Sequence, residues 1–189
     1  MFYDFYWDLS HLKSVEEPTA WVQEIKNRGS KTTIVAPHGG AIEFLTDALA
    51  RDIAGQDFNL FTFVGRDKKL HITSHNFRDP DLEKLQRISK LTLSVHGIPY
   101  NWGTTLVGGL NHKKRNRVIK YLRVYGFNAE IATHPFAGTH PGNFVNLTPK
   151  RGVQLELSLD QREKLKRSPA RYNDFVEAVR LALGGENEG

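Results

Sequence analysis

Two short motifs place a histidine and a glycine at the end of an apolar run. The first is Pro37-His38-Gly39-Gly40-Ala41-Ile42-Glu43, which follows the β-branched segment Thr32 to Ala36. The second is His96-Gly97, which closes Leu91 to Val95. Imidazole nitrogen and carboxylate oxygen both suit zinc, and three protein ligands with one open position is the arrangement of a catalytic zinc site. His38, Glu43 and His96 are therefore candidate metal ligands. His38 and Glu43 alone are equally compatible with a polar turn whose acid favours a helix N-terminus. The second His-Gly exit shifts the balance toward a metal. Glu156, in Gly152-Val-Gln-Leu-Glu-Leu-Ser158, is the candidate base. An acid in so apolar a strand is costly to bury without a partner, and burial raises its pKa toward that of a useful general base. The competing reading is plain alternation, with Gln154, Glu156 and Ser158 on a solvated face, and the local pattern alone leans that way.

The other histidines are weaker candidates. His71, Thr73 and His75 share one face of Leu70 to His75. They suit substrate contact, or support of the ligands, better than ligation. His134 and His140 fall in a long loop, and His11 and His112 read as surface residues.

The elements that must position these groups alternate between helical and extended patterns, the order of an α/β sheet. A helix is expected over Thr19 to Asn27, then a buried strand over Thr32 to Ala36. Ile42, Leu45, Leu49 and Ile53 give a helical stripe from Ala41 to a stop at Gly55. Phe58 to Val64 and Lys69 to Ser74 read as strands of a hairpin turning at Gly65-Arg66-Asp67. A helix over Asp79 to Lys90 leads into the strand Leu91 to Val95. Thr104 to Val107 follows as a strand. Next comes an amphipathic helix with Val118, Ile119, Leu122 and Tyr125 inward and Lys113, Lys114, Arg117 and Lys120 away from that stripe. Phe127 to Ala132 and Val153 to Leu157 read as strands, separated by a Gly/Pro/Asn/Thr-rich stretch of the length that is usually functional or disordered. Two helices, parted near Ser168-Pro169, complete the chain before a frayed tail from Gly184 to Gly189.

Composition limits the choices. The 189 residues, 39% apolar and 11% aromatic, suffice for one buried core, and nothing divides them into more than one domain. With no cysteine, disulfides and thiolate sites are excluded, so histidine and carboxylate must hold any metal. No run approaches the ~20 apolar residues of a membrane span. The segment Met1 to Asp8 carries two acids and lacks the basic start of a signal peptide, so a cytoplasmic protein is expected. Twenty-six Lys and Arg against 21 acids give a charge of +5 and a pI near 9.4. That charge fits nucleic-acid binding, an enzyme acting on a polyanion, or a surplus of surface lysine and arginine. The basic helix Asn111 to Tyr125 is the best support for nucleic acid, but no helix-turn-helix or zinc-finger spacing accompanies it.

In one order, the chain carries His38-Gly39-Gly40-x-x-Glu43, Ser74-His-Asn-Phe77, Val95-His-Gly97, Gly108-Gly-Leu-Asn111 and Gly152-Val-Gln-Leu-Glu-Leu-Ser158. It thereby resembles the poly-γ-glutamate hydrolase family from about Thr32 to Arg162. These are small zinc enzymes of bacteriophages and bacteria, some of them described as phage-related replication proteins. The resemblance implies a single-domain mixed β-sheet flanked by helices, like a trimmed zinc carboxypeptidase; the C-terminal helices, over residues 160–183, are read from the sequence pattern alone. It implies one zinc ion on His38, Glu43 and His96. Glu156 would be the base for the water that attacks a γ-glutamyl amide. The polymer bears a carboxylate on every residue, which suits a basic cleft. Members of that family place an Arg after the Asn of the loop before the last motif, whereas here Leu147 follows Asn146. Lys150 and Arg151 are the replacement candidates for holding a substrate carboxylate, with His75 and Asn146 beside them. Hydrolysis of another acyl-amino acid or peptide, and non-catalytic binding of nucleic acid, are the alternatives. No membrane partner is expected; a monomer is compatible with the sequence, and an oligomer stays open.

Overall fold

The structure, a computed structural model, describes residues 5–184. Its elements are α1 (Leu9–Val15), β1 (Trp21–Lys26), β2 (Thr32–Gly40), α2 (Thr46–Ala54), β3 (Asn59–Gly65), α3 (Pro80–Ile88) and β4 (Leu91–Gly97). They continue with β5 (Thr105–Gly108), α4 (His112–Val124), β6 (Ala129–Ile131), β7 (Gly152–Leu157), α5 (Leu159–Arg167) and α6 (Pro169–Leu183). Single 3-10 turns lie at Lys68–Leu70 and Phe144–Asn146.

The strands form one mixed seven-stranded sheet in the order β1-β3-β2-β4-β7-β5-β6. Its centre, β3-β2-β4-β7, is parallel throughout, while β1 and β5 join antiparallel to β3 and β7. Both faces of the centre are covered, as a parallel sheet requires. On one face Ile34, Leu93, Val95, Leu155 and Leu157 pack with apolar residues of α2, α4 and α6. On the other, Val35, Phe61 and Phe63 meet Leu9 and Leu12 of α1, Leu82 and Leu85 of α3, and the inserted Phe77 and Phe144. Alternation along β4 and β7 thus sends Ser94, His96, Gln154 and Glu156 to the second face, and all four are buried there.

Four expectations are corrected. Residues 21–26 form the edge strand β1 rather than a helix. Their backbone pairs with β3 from Trp21 opposite Gly65 to Lys26 opposite Leu60, and the Trp21 ring stacks on Phe63 at 5.7 Å. Tertiary pairing overrides the local helical preference. The hairpin at Gly65-Arg66-Asp67 does not form, because β3 already has partners on both sides. Its continuation becomes a 3-10 turn capped by the Asp67 side chain, then an irregular segment. The helix expected from Ala41 starts only at Thr46, after Leu45 in a left-handed conformation (φ 74°). Lys114, placed on the solvated side of the basic helix, is 7% exposed and donates to the Ala182 and Leu183 carbonyls at the C-terminus of α6. A cation is favoured there by the carbonyls that a helix end leaves unpaired.

The helix break is as expected, with Ser168 capping α6 and Pro169 at its first position. No helix among the described residues is long and apolar enough to cross a membrane. Gly184 caps α6, and the rest of the expected tail, residues 185–189, lies outside the described residues, as do residues 1–4.

Candidate metal centre

The centre lies at the carboxyl edge of the parallel strands, where ligands of open α/β sheets gather. β2 delivers His38 through a bulge. Ala36 pairs with Thr62 and Gly39 with Val64, so one residue is extra and the side chain is re-aimed. Gly40 follows at φ 71°, and a Cβ there would come within 2.6 Å of the Gly65 carbonyl. The chain then turns back, with Glu43 N–H donating to the His38 carbonyl at 2.8 Å. Glu43 therefore reaches the centre from a turn, not from a helix.

The histidine tautomer follows from the partners. His38 Nε2 lies 2.7 Å from the Ile72 carbonyl, which can only accept, so Nε2 carries the proton. Its Nδ1 faces Glu43 Oε1 at 3.0 Å and His96 Nδ1 at 3.2 Å. His96 Nδ1 is in turn 3.8 Å from Glu43 Oε2, and that oxygen accepts the Gly97 N–H at 2.8 Å. A neutral His38 would aim a bare lone pair at a carboxylate and at a second imidazole nitrogen. The arrangement demands a shared proton or a cation. Two donors on a tetrahedral zinc, with bonds near 2.0–2.1 Å, stand about 3.3 Å apart. The observed separations of 3.0, 3.2 and 3.8 Å bracket that edge. The donor set therefore fits zinc. The bond from His38 to Ile72 is also the outer contact that normally fixes a metal-bound imidazole.

His71, read from sequence as a cleft-lining residue, comes closer than expected. Its ring lies 4.2 Å from that of His38, and its Nε2 is 4.0 Å from Glu43 Oε1. One ligand atom each from His38, Glu43 and His71 fall within 4.8 Å of one another. The irregular segment that replaces the expected strand brings it there.

Electrostatics separate the two acids. Burial pushes Glu43 upward, but the imidazoles of His38, His96 and His71 outweigh it and hold the carboxyl at about 2. His96 is lowered to about 3 by burial, reinforced by His38 and His71. Glu156 pairs in register with His96, so the two share a face on neighbouring strands. Burial and the charge of Glu43 raise its pKa well above the ordinary carboxylate value, while a hydrogen bond from Gln154 Nε2 at 2.8 Å opposes the rise. Gln154 is held by Asn143 Nδ2 at 2.9 Å, so the long loop between β6 and β7 steadies the Gln154–Glu156 pair. One acid is thus kept ionised and the other kept basic, the kind of division that acid–base chemistry at one site uses.

The expected substrate residues fall in different surroundings. His75 is exposed, its ring 5.2 Å from His140. Asn146 is fully buried, and its amide is spent on Gly138, His140 and the Leu110 N–H. Lys150 and Arg151 precede β7, at the opposite edge of the sheet. Glu156 lies five residue steps along the chain from Arg151, about 16 Å at the usual rise. Arg151 instead donates to the Asn146 carbonyl at 3.2 Å.

Fold and site together define an α/β protein with a histidine–carboxylate centre and a buried acid beside it. The chain belongs to the poly-gamma-glutamate hydrolase family, which it matches over residues 6–174, well beyond the motif region. It is 33% identical over 184 residues to the SPbeta prophage-derived UPF0714 protein YoqZ of Bacillus subtilis, covering 94% of this chain and 65% of that protein. The chain thus spans just under two thirds of that relative's length. The structure of a bacteriophage poly-gamma-glutamate hydrolase superposes with a TM-score of 0.89 at 30% identity, covering 96% of this chain and 97% of that one. A zinc-free form of YndL superposes with 0.88 at 28% identity, covering 96% and 98%.

Proposed function

We propose that the protein hydrolyses γ-glutamyl amide bonds of poly-γ-glutamate, with one zinc ion held by His38, Glu43 and His96. The observation that carries this reading is the His38 Nδ1 lone pair, facing a carboxylate and an imidazole at 3.0 and 3.2 Å. His96 is preferred to His71 as third ligand because its nitrogen stands closer to the other two donors. Bound zinc supplies Lewis-acid polarisation of the scissile carbonyl and lowers the pKa of the attacking water.

The chain's own residues do the rest. Glu156 Oε accepts a proton from water as its oxygen attacks the amide carbon, then returns that proton to the nitrogen as the C–N bond breaks. Its raised pKa makes it a stronger base than an ordinary carboxylate. Gln154 fixes which Glu156 oxygen stays free, because the other accepts its N–H. His71 flanks the ligands, 4.2 Å from the His38 ring, and would donate to a substrate oxygen.

Metal analysis with depolymerisation of γ-linked and α-linked polyglutamate tests the reading. Zinc-dependent cleavage of the γ-linked polymer alone is expected; cleavage of α-peptides alone would overturn it.

A further inference from the structure

A cation is packed beneath the centre. Arg162, on α5, is 4% exposed, yet neither of its hydrogen bonds goes to a carboxylate. Nη1 donates to the Phe44 carbonyl at 3.1 Å and Nη2 to the Ile98 carbonyl at 2.9 Å. The guanidinium also lies 4.8 Å from the centroid of the Phe44 ring. Phe44 directly follows Glu43, and Ile98 stands two residues past His96. The planar fork therefore joins two turns that leave different strands, each carrying one donor of the centre.

Gly97 completes the joint. A Cβ at that position would stand 2.4 Å from Arg162 Cζ, so the glycine after His96 is required for the guanidinium to enter. The N–H of the same glycine holds Glu43 Oε2. Removing a guanidinium from water is unfavourable unless nearby charge compensates it. Burial holds the pKa of the Arg162 guanidinium below its ordinary value, and the charges of Glu43 and Glu156 offset only part of that cost.

We propose that Arg162 is a positioning residue of the metal centre: its fork fixes the Phe44 and Ile98 carbonyls so that Glu43 and His96 converge. This rests on the zinc reading above. A lysine retains the charge but is a point donor on a flexible stem, without the planar fork.

Arg162→Gln and Arg162→Lys would be compared with the wild type in the full chain. Zinc affinity would be measured by competition with a chromophoric chelator, alongside melting temperature and the separate kcat and KM of the zinc-saturated proteins. Residues that orient metal ligands typically cost about 10- to 100-fold in affinity when replaced. A loss of that size is expected for Arg162→Gln, with partial recovery in Arg162→Lys and kcat falling more than KM changes. A lowered melting temperature with unchanged zinc affinity in both variants would reduce Arg162 to a packing role and overturn the inference. If Arg162→Gln does not fold, Arg162→Lys decides. Wild-type affinity in that variant, or its failure to fold as well, overturns the inference. A wild type that takes up no zinc overturns the metal reading itself, and this inference with it.

Discussion

Strands β2, β4 and β7 end in opposite chemistries. At their carboxyl ends stand His38, His96 and Glu156, all buried. Just before their amino ends stand Lys31, Lys90 and Arg151, exposed or half-buried, with Lys150 beside them. Backbone bonds tie the amino edge together: Lys90 N–H donates to the Lys31 carbonyl at 2.7 Å and Lys150 N–H to the Lys90 carbonyl at 2.9 Å. Charge at that edge stays in water and costs little. At the carboxyl edge two acids and three imidazoles crowd into the interior, where each charge needs a named partner. Formal charge therefore marks neither the site nor its substrate. The burial of ionisable groups at one end of the strands is the stronger pointer to chemistry.

The sharpest way to break this contrast is to remove the base. Glu156→Gln keeps the shape and the hydrogen-bonding capacity of the side chain but cannot take a proton. Turnover of poly-γ-glutamate should fall by about a hundred- to ten-thousand-fold, the usual worth of a positioned general base. Zinc content, measured by elemental analysis, should stay at the wild-type level. A mutant that loses its metal would make Glu156 a ligand instead. Comparable loss of activity is expected for His38→Ala and His96→Ala, but through loss of zinc on dialysis. His71→Ala separates the two candidate third ligands. It should retain zinc and lose about 10- to 100-fold in activity, as a supporting residue does, whereas release of its zinc would exchange the roles of His71 and His96.

Much of the carboxyl edge was legible in the sequence, because it follows from local rules. Apolar β-branched runs gave the strands and His-Gly marked their ends, whereas alternation alone leaned toward a solvated Glu156; only the register of β4 with β7 sets it beside His96 on a buried face. What stayed hidden depends on contacts distant in sequence. Arg162 sits in a helix whose pattern reads as solvated, and only the meeting of the turns after β2 and β4 gives it a place inside. His71 was assigned to a strand that never forms, since β3 takes β1 and β2 as partners. Gln154 looked like half of a polar alternation until the long loop covered that face and supplied Asn143. Lys150 and Arg151 were candidates because they follow Asn146, where the family has an arginine; the strand β7 that begins just after them carries Glu156 to the other edge of the sheet.

A smaller change tests how the covered face tunes the base. The Gln154 amide donates to Glu156 and so favours its charged form. In Gln154→Leu that support is gone, and the folded-state pKa of Glu156 should rise further. The base works only when deprotonated, so activity falls as pH drops through that pKa. The acid limb of the pH profile of kcat/KM should therefore move to higher pH in the variant, with the alkaline side little changed. An unmoved limb would mean that another group sets it.

The smallest expected effect lies at the amino edge and bears on substrate recognition. If Lys150 or Arg151 gripped a polymer carboxylate next to the cleaved bond, its loss would raise KM sharply, since charged hydrogen bonds to an anion are among the strong ones. Geometry argues otherwise. Arg151 holds a left-handed backbone conformation (φ 60°) and turns its guanidinium to the Asn146 carbonyl of its own loop. The sheet's full depth separates it from Glu156. Both side chains are exposed, where substitutions usually shift stability by no more than about 0.5 kcal/mol. Lys150→Ala and Arg151→Ala should each leave kcat unchanged and KM within about twofold of wild type at moderate salt, where charges more than a Debye length apart are largely screened. A large rise in KM in either variant, at unchanged kcat, would show that the polymer wraps from one edge of the sheet to the other. The contrast between the two edges would then be one of catalysis against grip rather than of chemistry against inert scaffold.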